Sequence, residues 1–181
     1  QQVLLHISPH PDDETLGCGP TLSLLRRNGW KIVNVACSLG REDDTTRRQQ
    51  ELDAALDVWG FDGEILHPSV GISSSDDLEI AQEQIAEAVL RCYAAYEPQI
   101  LVSPQIHDLH HGHETVSKGV CRALRMLHDG PRWWMWGLWA DLTIPTLYSP
   151  YGEDIQKKQL EALESYRGEN TRNDYRKLAV A

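Results

Sequence analysis

No stretch of the 181-residue chain approaches the roughly 20 consecutive apolar residues of a helical membrane span. Nor does it open on the basic-then-apolar pattern of a secretory leader. Cations are in short supply: 17 Lys and Arg stand against 27 Asp and Glu, for a net charge of -10. That balance argues against a nucleic-acid-binding face and against docking on anionic membranes. The four cysteines, at 18, 37, 92 and 121, show no CxxC or other metal spacing. They read as free thiols in a reducing, cytoplasmic setting. Gly17-Cys18-Gly19 lacks the third glycine of a dinucleotide loop, because Leu22 stands there, and the acids at 12 to 14 repel a pyrophosphate. No internal repeat and no low-complexity tract is present.

What remains is an ordinary globular composition, 41% hydrophobic and 24% charged, with enough chain for one substantial core. A single domain over 1–181 is the expectation. The chain begins with Gln1, not Met, and stops at Ala181 without a clear capping signal, as a chain shortened at either end does. Strand-like runs are expected over 3–8, 31–37, 64–67, 99–103 and 132–139. Helical patterns lie between and after them, over 14–27, 45–59, 76–96, 113–128, 154–166 and 170–181. This alternation predicts an α/β fold, a Rossmann-like three-layer sandwich with a mostly parallel sheet.

Two polar clusters fall at the carboxyl ends of expected strands, the edge where ligands bind in open α/β sheets. The first is His6-Ile7-Ser8-Pro9-His10-Pro11-Asp12-Asp13-Glu14; the second is His107-Asp108-Leu109-His110-His111-Gly112-His113-Glu114. Brought together, they hold one divalent metal, with zinc the first choice. A catalytic zinc takes three protein ligands and keeps one position for water, whose pKa falls to about 7. His10 and Asp13 sit three apart in a loop stiffened by Pro9 and Pro11. Asp12, beside them, is the carboxylate left free as general base. The bland alternatives are that Asp12 to Glu14 merely complement a helix dipole, and that His107 and His111 are solvated loop residues. His110 and His113 share the i, i+3 spacing, and His113 opens a helix.

Pro9-His10-Pro11-Asp12-Asp13-Glu14 with Leu16-Gly17-Cys18-Gly19 resembles the signature of the PIG-L/LmbE-like family of zinc-dependent N-acetylglucosaminyl deacetylases. Arg48-Gln49-Gln50-Glu51 resembles its Arg-x-x-Glu segment, and His110-His111-Gly112-His113 its His-Pro-Asp-His segment. The resemblance covers about residues 3 to 125. It implies His10, Asp13 and His113 as ligands of one Zn2+ per chain, with Asp12 as general base. His110 is implied as the cationic residue that stabilises an oxyanion or protonates the leaving amine. Arg48 is implied near the substrate sugar or as a brace for the loop. The implied partner is a small N-acetylated amino sugar. One departure stands out: His111-Gly112 replaces Pro-Asp, removing an Asp that would orient a neighbouring His.

Two other readings stay open. One is a deacylase of another small N-acyl substrate, such as an aminoglycoside, thiol-sugar or lipoglycopeptide. The other is a non-catalytic metal-binding relative. The tract Trp133 to Trp139 is read mainly as core, with sugar stacking as the alternative. Oligomeric state has no signature in the sequence.

Overall fold

The computed structural model describes residues 1–180. Five strands form one fully parallel sheet: β1 (Val3–Ser8), β2 (Lys31–Ala36), β3 (Asp62–Ile65), β4 (Ile100–Pro104) and β5 (Arg132–Trp136). Their order is β3-β2-β1-β4-β5. The chain therefore lays down one half of the sheet outward from β1, then returns to the other side of β1 for the second half. β1 and β4 are the neighbours at this reversal, paired through Leu4↔Ile100, Leu5↔Leu101 and His6↔Val102. The crevice beyond their carboxyl ends is the place such sheets reserve for ligands.

Both faces of the sheet are covered, so its central strands are buried along their length. Leu5, Ile7, Val33 and Val35 face the helices α3 (Leu78–Tyr96) and α4 (His111–Arg125). Leu4, Ile32 and Ala36 face α1 (Gly19–Arg27), α2 (Thr45–Trp59) and α5 (Glu153–Glu164). The period of two along each strand sorts the side chains between these two cores. Helices α6 (Arg167–Asn170) and α7 (Tyr175–Val180) end the described chain.

Some boundaries differ from expectation for identifiable reasons. The helix expected over 14–27 begins as a π-helical turn over Glu14–Cys18 before α1. A Cβ at Gly17 would lie 2.6 Å from the Trp136 ring, and one at Gly19 2.7 Å from Trp59. The two glycines let this turn press against aromatic walls on both sides. The fifth strand stops at Trp136 rather than continuing to Trp139, because the chain turns sharply at Gly137. A Cβ there would meet the Ala140 carbonyl oxygen at 2.4 Å. The helix expected over 113–128 starts two residues earlier, at His111. The helix expected over 170–181 begins only at Tyr175, as α7, with the short α6 ending at Asn170, and its last residue lies outside the described residues.

Candidate metal centre and its cavity

The loop after β1 and the start of α4 meet at the sheet's reversal point. There His10, Asp13 and His113 bring one ligand atom each within 4.8 Å of one another. Asp13 Oδ1 lies 3.1 Å from His113 Nε2, and Asp13 Oδ2 lies 3.4 Å from His10 Nδ1. A tetrahedral ion with bonds near 2.0–2.1 Å needs donor separations of about 3.3 Å; Asp13 meets each histidine near that separation through a different oxygen, and the nitrogen and carboxylate donors suit a zinc-sized ion. Asp13 and His113 are buried and His10 is half-buried, which leaves one open side.

Hydrogen bonds hold Asp13 and His113 in place. The His10 main-chain N–H donates to Asp13 Oδ2 at 2.9 Å. His113 pairs through Nδ1 with Asp108 Oδ2 at 2.7 Å. With the ring proton on Nδ1, Nε2 presents its lone pair to the ion, the carboxylate–histidine arrangement common at metal sites. Asp108, five residues before His113, orients His113, whereas nothing among the described residues takes the place of the Asp absent between His110 and His113, and His110 Nδ1 is left without a partner there. Burial pushes the Asp13 carboxyl up, but the His113 and His10 imidazoles beside it hold it well below the usual carboxylate range. For His113, burial lowers the pKa, and Asp13 and Asp108 outweigh it and raise it.

Asp12 adopts φ +106°, a conformation that costs a non-glycine residue of order 1–3 kcal/mol and gathers at functional sites. Its side chain lines the same cavity as His10, Asp13 and His113, beside the Tyr175 hydroxyl. Burial, then the Asp13 charge, drives its pKa well above the ordinary value, against the pull of Arg48. A bound divalent cation acts in the opposite direction and favours the carboxylate. Glu14 is not available as a ligand. It is fully buried and accepts from Thr15 Oγ1 at 2.5 Å, from the Asp12 N–H at 3.1 Å and from the Tyr166 hydroxyl.

His110 packs edge-on against His113, with ring centroids 4.5 Å apart, and its buried Nδ1 has no hydrogen-bond partner. Burial and the adjacent histidines lower its pKa to about 4. That direction favours the neutral ring. Arg48 is buried at the cavity edge, where its guanidinium holds Glu169 at 2.5 Å and donates to the Pro11 carbonyl at 3.2 Å. Of the two roles considered for it, this geometry matches the brace. His107 is not in the cluster. His111 lies in α4 with its ring stacked on His110, 4.6 Å between centroids, and lines a neighbouring cavity.

The metal-ligand cavity measures about 250 Å³, and a second of about 500 Å³ adjoins it through His10, Gly40, Arg41 and His110. A larger groove of about 840 Å³ lies at the amino ends of the strands and holds none of the three ligands.

A Rossmann-like sheet with a His-Asp-His cluster and a free carboxylate at its reversal point defines a candidate metallohydrolase. The chain matches the PIG-L family, GlcNAc-PI de-N-acetylase, over residues 5–124, and it belongs to that family. A comparison with curated proteins finds no match. Among solved structures, a deacetylase–teicoplanin complex superposes with TM-score 0.77 at 16% identity, covering 96% of this chain and 90% of that one. An N,N'-diacetylchitobiose deacetylase from Pyrococcus horikoshii superposes with TM-score 0.67 at 14% identity, covering 92% and 70%. A 4-carboxy-2-hydroxymuconate hydratase from Pseudomonas putida KT2440 reaches TM-score 0.71 at 14% identity, covering 98% and 84%. At such identities these likenesses establish the fold, which serves more than one chemistry.

Proposed function

We propose that this protein is a metal-dependent hydrolase that removes the N-acetyl group from an N-acetylglucosamine-type amino sugar or its conjugate. Membership of a de-N-acetylase family supports the reading. The observation that carries it is a free carboxylate, Asp12, in strained backbone beside three preorganised ligands. His10, Asp13 and His113 would hold one divalent ion, zinc by its preference for nitrogen and carboxylate donors. Bound there, such an ion would supply Lewis-acid polarisation of the acetamide carbonyl and lower the pKa of a water.

Asp12 takes a proton from the water as its oxygen bonds to the carbonyl carbon. Neutral His110 offers its ring N–H to the developing oxyanion, in a cavity that buries the charge. The C–N bond then breaks, the proton held by Asp12 passes to the leaving nitrogen, and acetate and the free amine depart. Arg48 keeps the Asp12 loop in place through Pro11 and Glu169 rather than gripping the sugar.

Metal content and acetate release from N-acetylglucosamine, measured on the same samples of wild type and His113→Ala, test this reading. About one metal per chain, with metal and acetate release both lost in the variant, supports it. Metal without acetate release moves the search to other N-acyl substrates or to a binding role. No metal in wild type overturns it.

A further inference from the structure

Four of the six tryptophans lie between residues 133 and 139, and three of them have structural partners. Trp133 donates to Ser103 Oγ at 2.9 Å, Trp134 packs on the core, and Trp136 donates to His6 Nε2 at 3.1 Å. Trp139 is different. It is 51% exposed, lines the metal-ligand cavity and lies near-parallel to the His110 ring, with centroids 6.2 Å apart and planes at 25°.

Its position is fixed from both sides. Asp108 Oδ1 accepts from the main-chain N–H groups of Leu138, Trp139 and Ala140 at 2.8, 3.2 and 3.4 Å. Gln105 Nε2 donates to the Ala140 carbonyl at 2.6 Å. The other oxygen of Asp108 pairs with His113. One buried carboxylate therefore ties the main chain that carries Trp139 to His113. Fixing the backbone under an aromatic that is left half in water gains little for folding, whereas an apolar face held in place lowers the cost of binding.

We propose that Trp139 is the stacking platform of this site, taking the apolar C–H face of a pyranose ring and held in register with the metal centre by Asp108. The arrangement places a ring on the indole and leaves its acetamide to reach past His110 towards Asp12. The identity of the ring as an N-acetylated amino sugar rests on the deacetylase reading; the platform rests on the geometry of Trp139.

Two experiments test it. In the first, saturation-transfer NMR follows N-acetylglucosamine ring protons with the metal-free protein. Wild type and Trp139→Phe should transfer to the ring protons, and Trp139→Ala should lose most of the transfer. In the second, kcat and KM are measured for N-acetylglucosamine and for acyclic N-acetylethanolamine. Trp139→Ala should lower the preference for the sugar by about tenfold or more, through KM, on the scale of aromatic stacking. Wild-type ring transfer in Trp139→Ala, no transfer in wild type, or an unaltered preference overturns the platform. Transfer that depends on Trp139 without acetate release from either amide supports the platform and counts instead against the free sugar as the substrate of the deacetylase reading.

Discussion

Asp108 accepts from His113 with one oxygen and from the 138–140 main chain with the other, so removing its carboxylate disturbs the ligand and its surroundings together. Asp108→Ala should weaken metal affinity about 10- to 100-fold, the usual effect of losing a partner behind a ligating histidine. Competition against a chromogenic chelator measures it, and wild-type affinity would remove Asp108 from the centre. Asp12→Asn should do the reverse, keeping the metal while turnover drops about 10²- to 10⁴-fold. His6 is a third case. Fully buried, it pairs through Nδ1 with Asn34 Oδ1 at 2.7 Å and accepts from Trp136, and burial lowers its pKa to about 4. The unfolded chain then binds the proton more readily, so His6 contributes full stability above about pH 6.5 and loses it as pH falls towards 4. The loss is of order 3 kcal/mol. Urea midpoints at pH 7 and 4.5 should fall less steeply for His6→Gln than for wild type, and equal slopes would count against it. Local sequence made His10, Asp12, Asp13 and His113 legible, because they sit within two short stretches, the loop after β1 and the first turn of α4. Asp108 stood in the same cluster and was passed over, since its role depends on how the loop doubles back onto α4.

Beyond residue 150, α5 and α7 were legible as helices, α6 falls between the two expected ones, and none was legible as part of the site. Their charged faces look solvent-directed in sequence, yet Glu169 of α6 meets Arg48 of α2 across 121 positions, and the Tyr166 hydroxyl reaches Glu14 across 152. Pairings at that separation leave no local pattern. Removing one partner strands a buried charge, so Glu169→Gln should cost about 3 kcal/mol. Combining it with Arg48→Met should recover part of that loss, and a strictly additive double-variant cycle in urea would sink the coupling. The parallel sheet, in contrast, was readable from the alternation of β-branched runs with helical patterns. Sequence could not show how closely α3 and α4 approach. A Cβ on Gly119 would stand 2.7 Å from Ile85 Cγ2 and 2.9 Å from the Gln82 carbonyl oxygen. Gly119→Ala should therefore lose stability by about 1–3 kcal/mol as the helices part, despite its better helix propensity, and a stabilised variant in urea unfolding would contradict this packing.

At the scale of the whole molecule, the acidic excess has one place where it concentrates under cover. Asp12, Asp13, Glu14, Asp108 and Glu169 are all buried around the carboxyl ends of β1 and β4. Arg48 offsets part of this charge, and the cationic supply elsewhere lies on the surface. A divalent ion held by His10, Asp13 and His113 would offset much of the rest, and only the folded chain assembles those ligands. Folding and metal binding are then linked: an ion at 100 times its dissociation constant adds about 2.7 kcal/mol to the folded state. Stripping the ion with a chelator should lower the unfolding temperature by several degrees for a chain of this size, and titrated zinc should restore it. His113→Ala should show almost no response to either treatment, which separates occupation of this centre from general effects of chelator or salt. A wild-type unfolding temperature indifferent to chelator and zinc alike would mean that the buried carboxylates are neutralised by protons rather than by a metal. Asp12, already pushed towards its protonated form, would then have no cation to keep it ionised as a base.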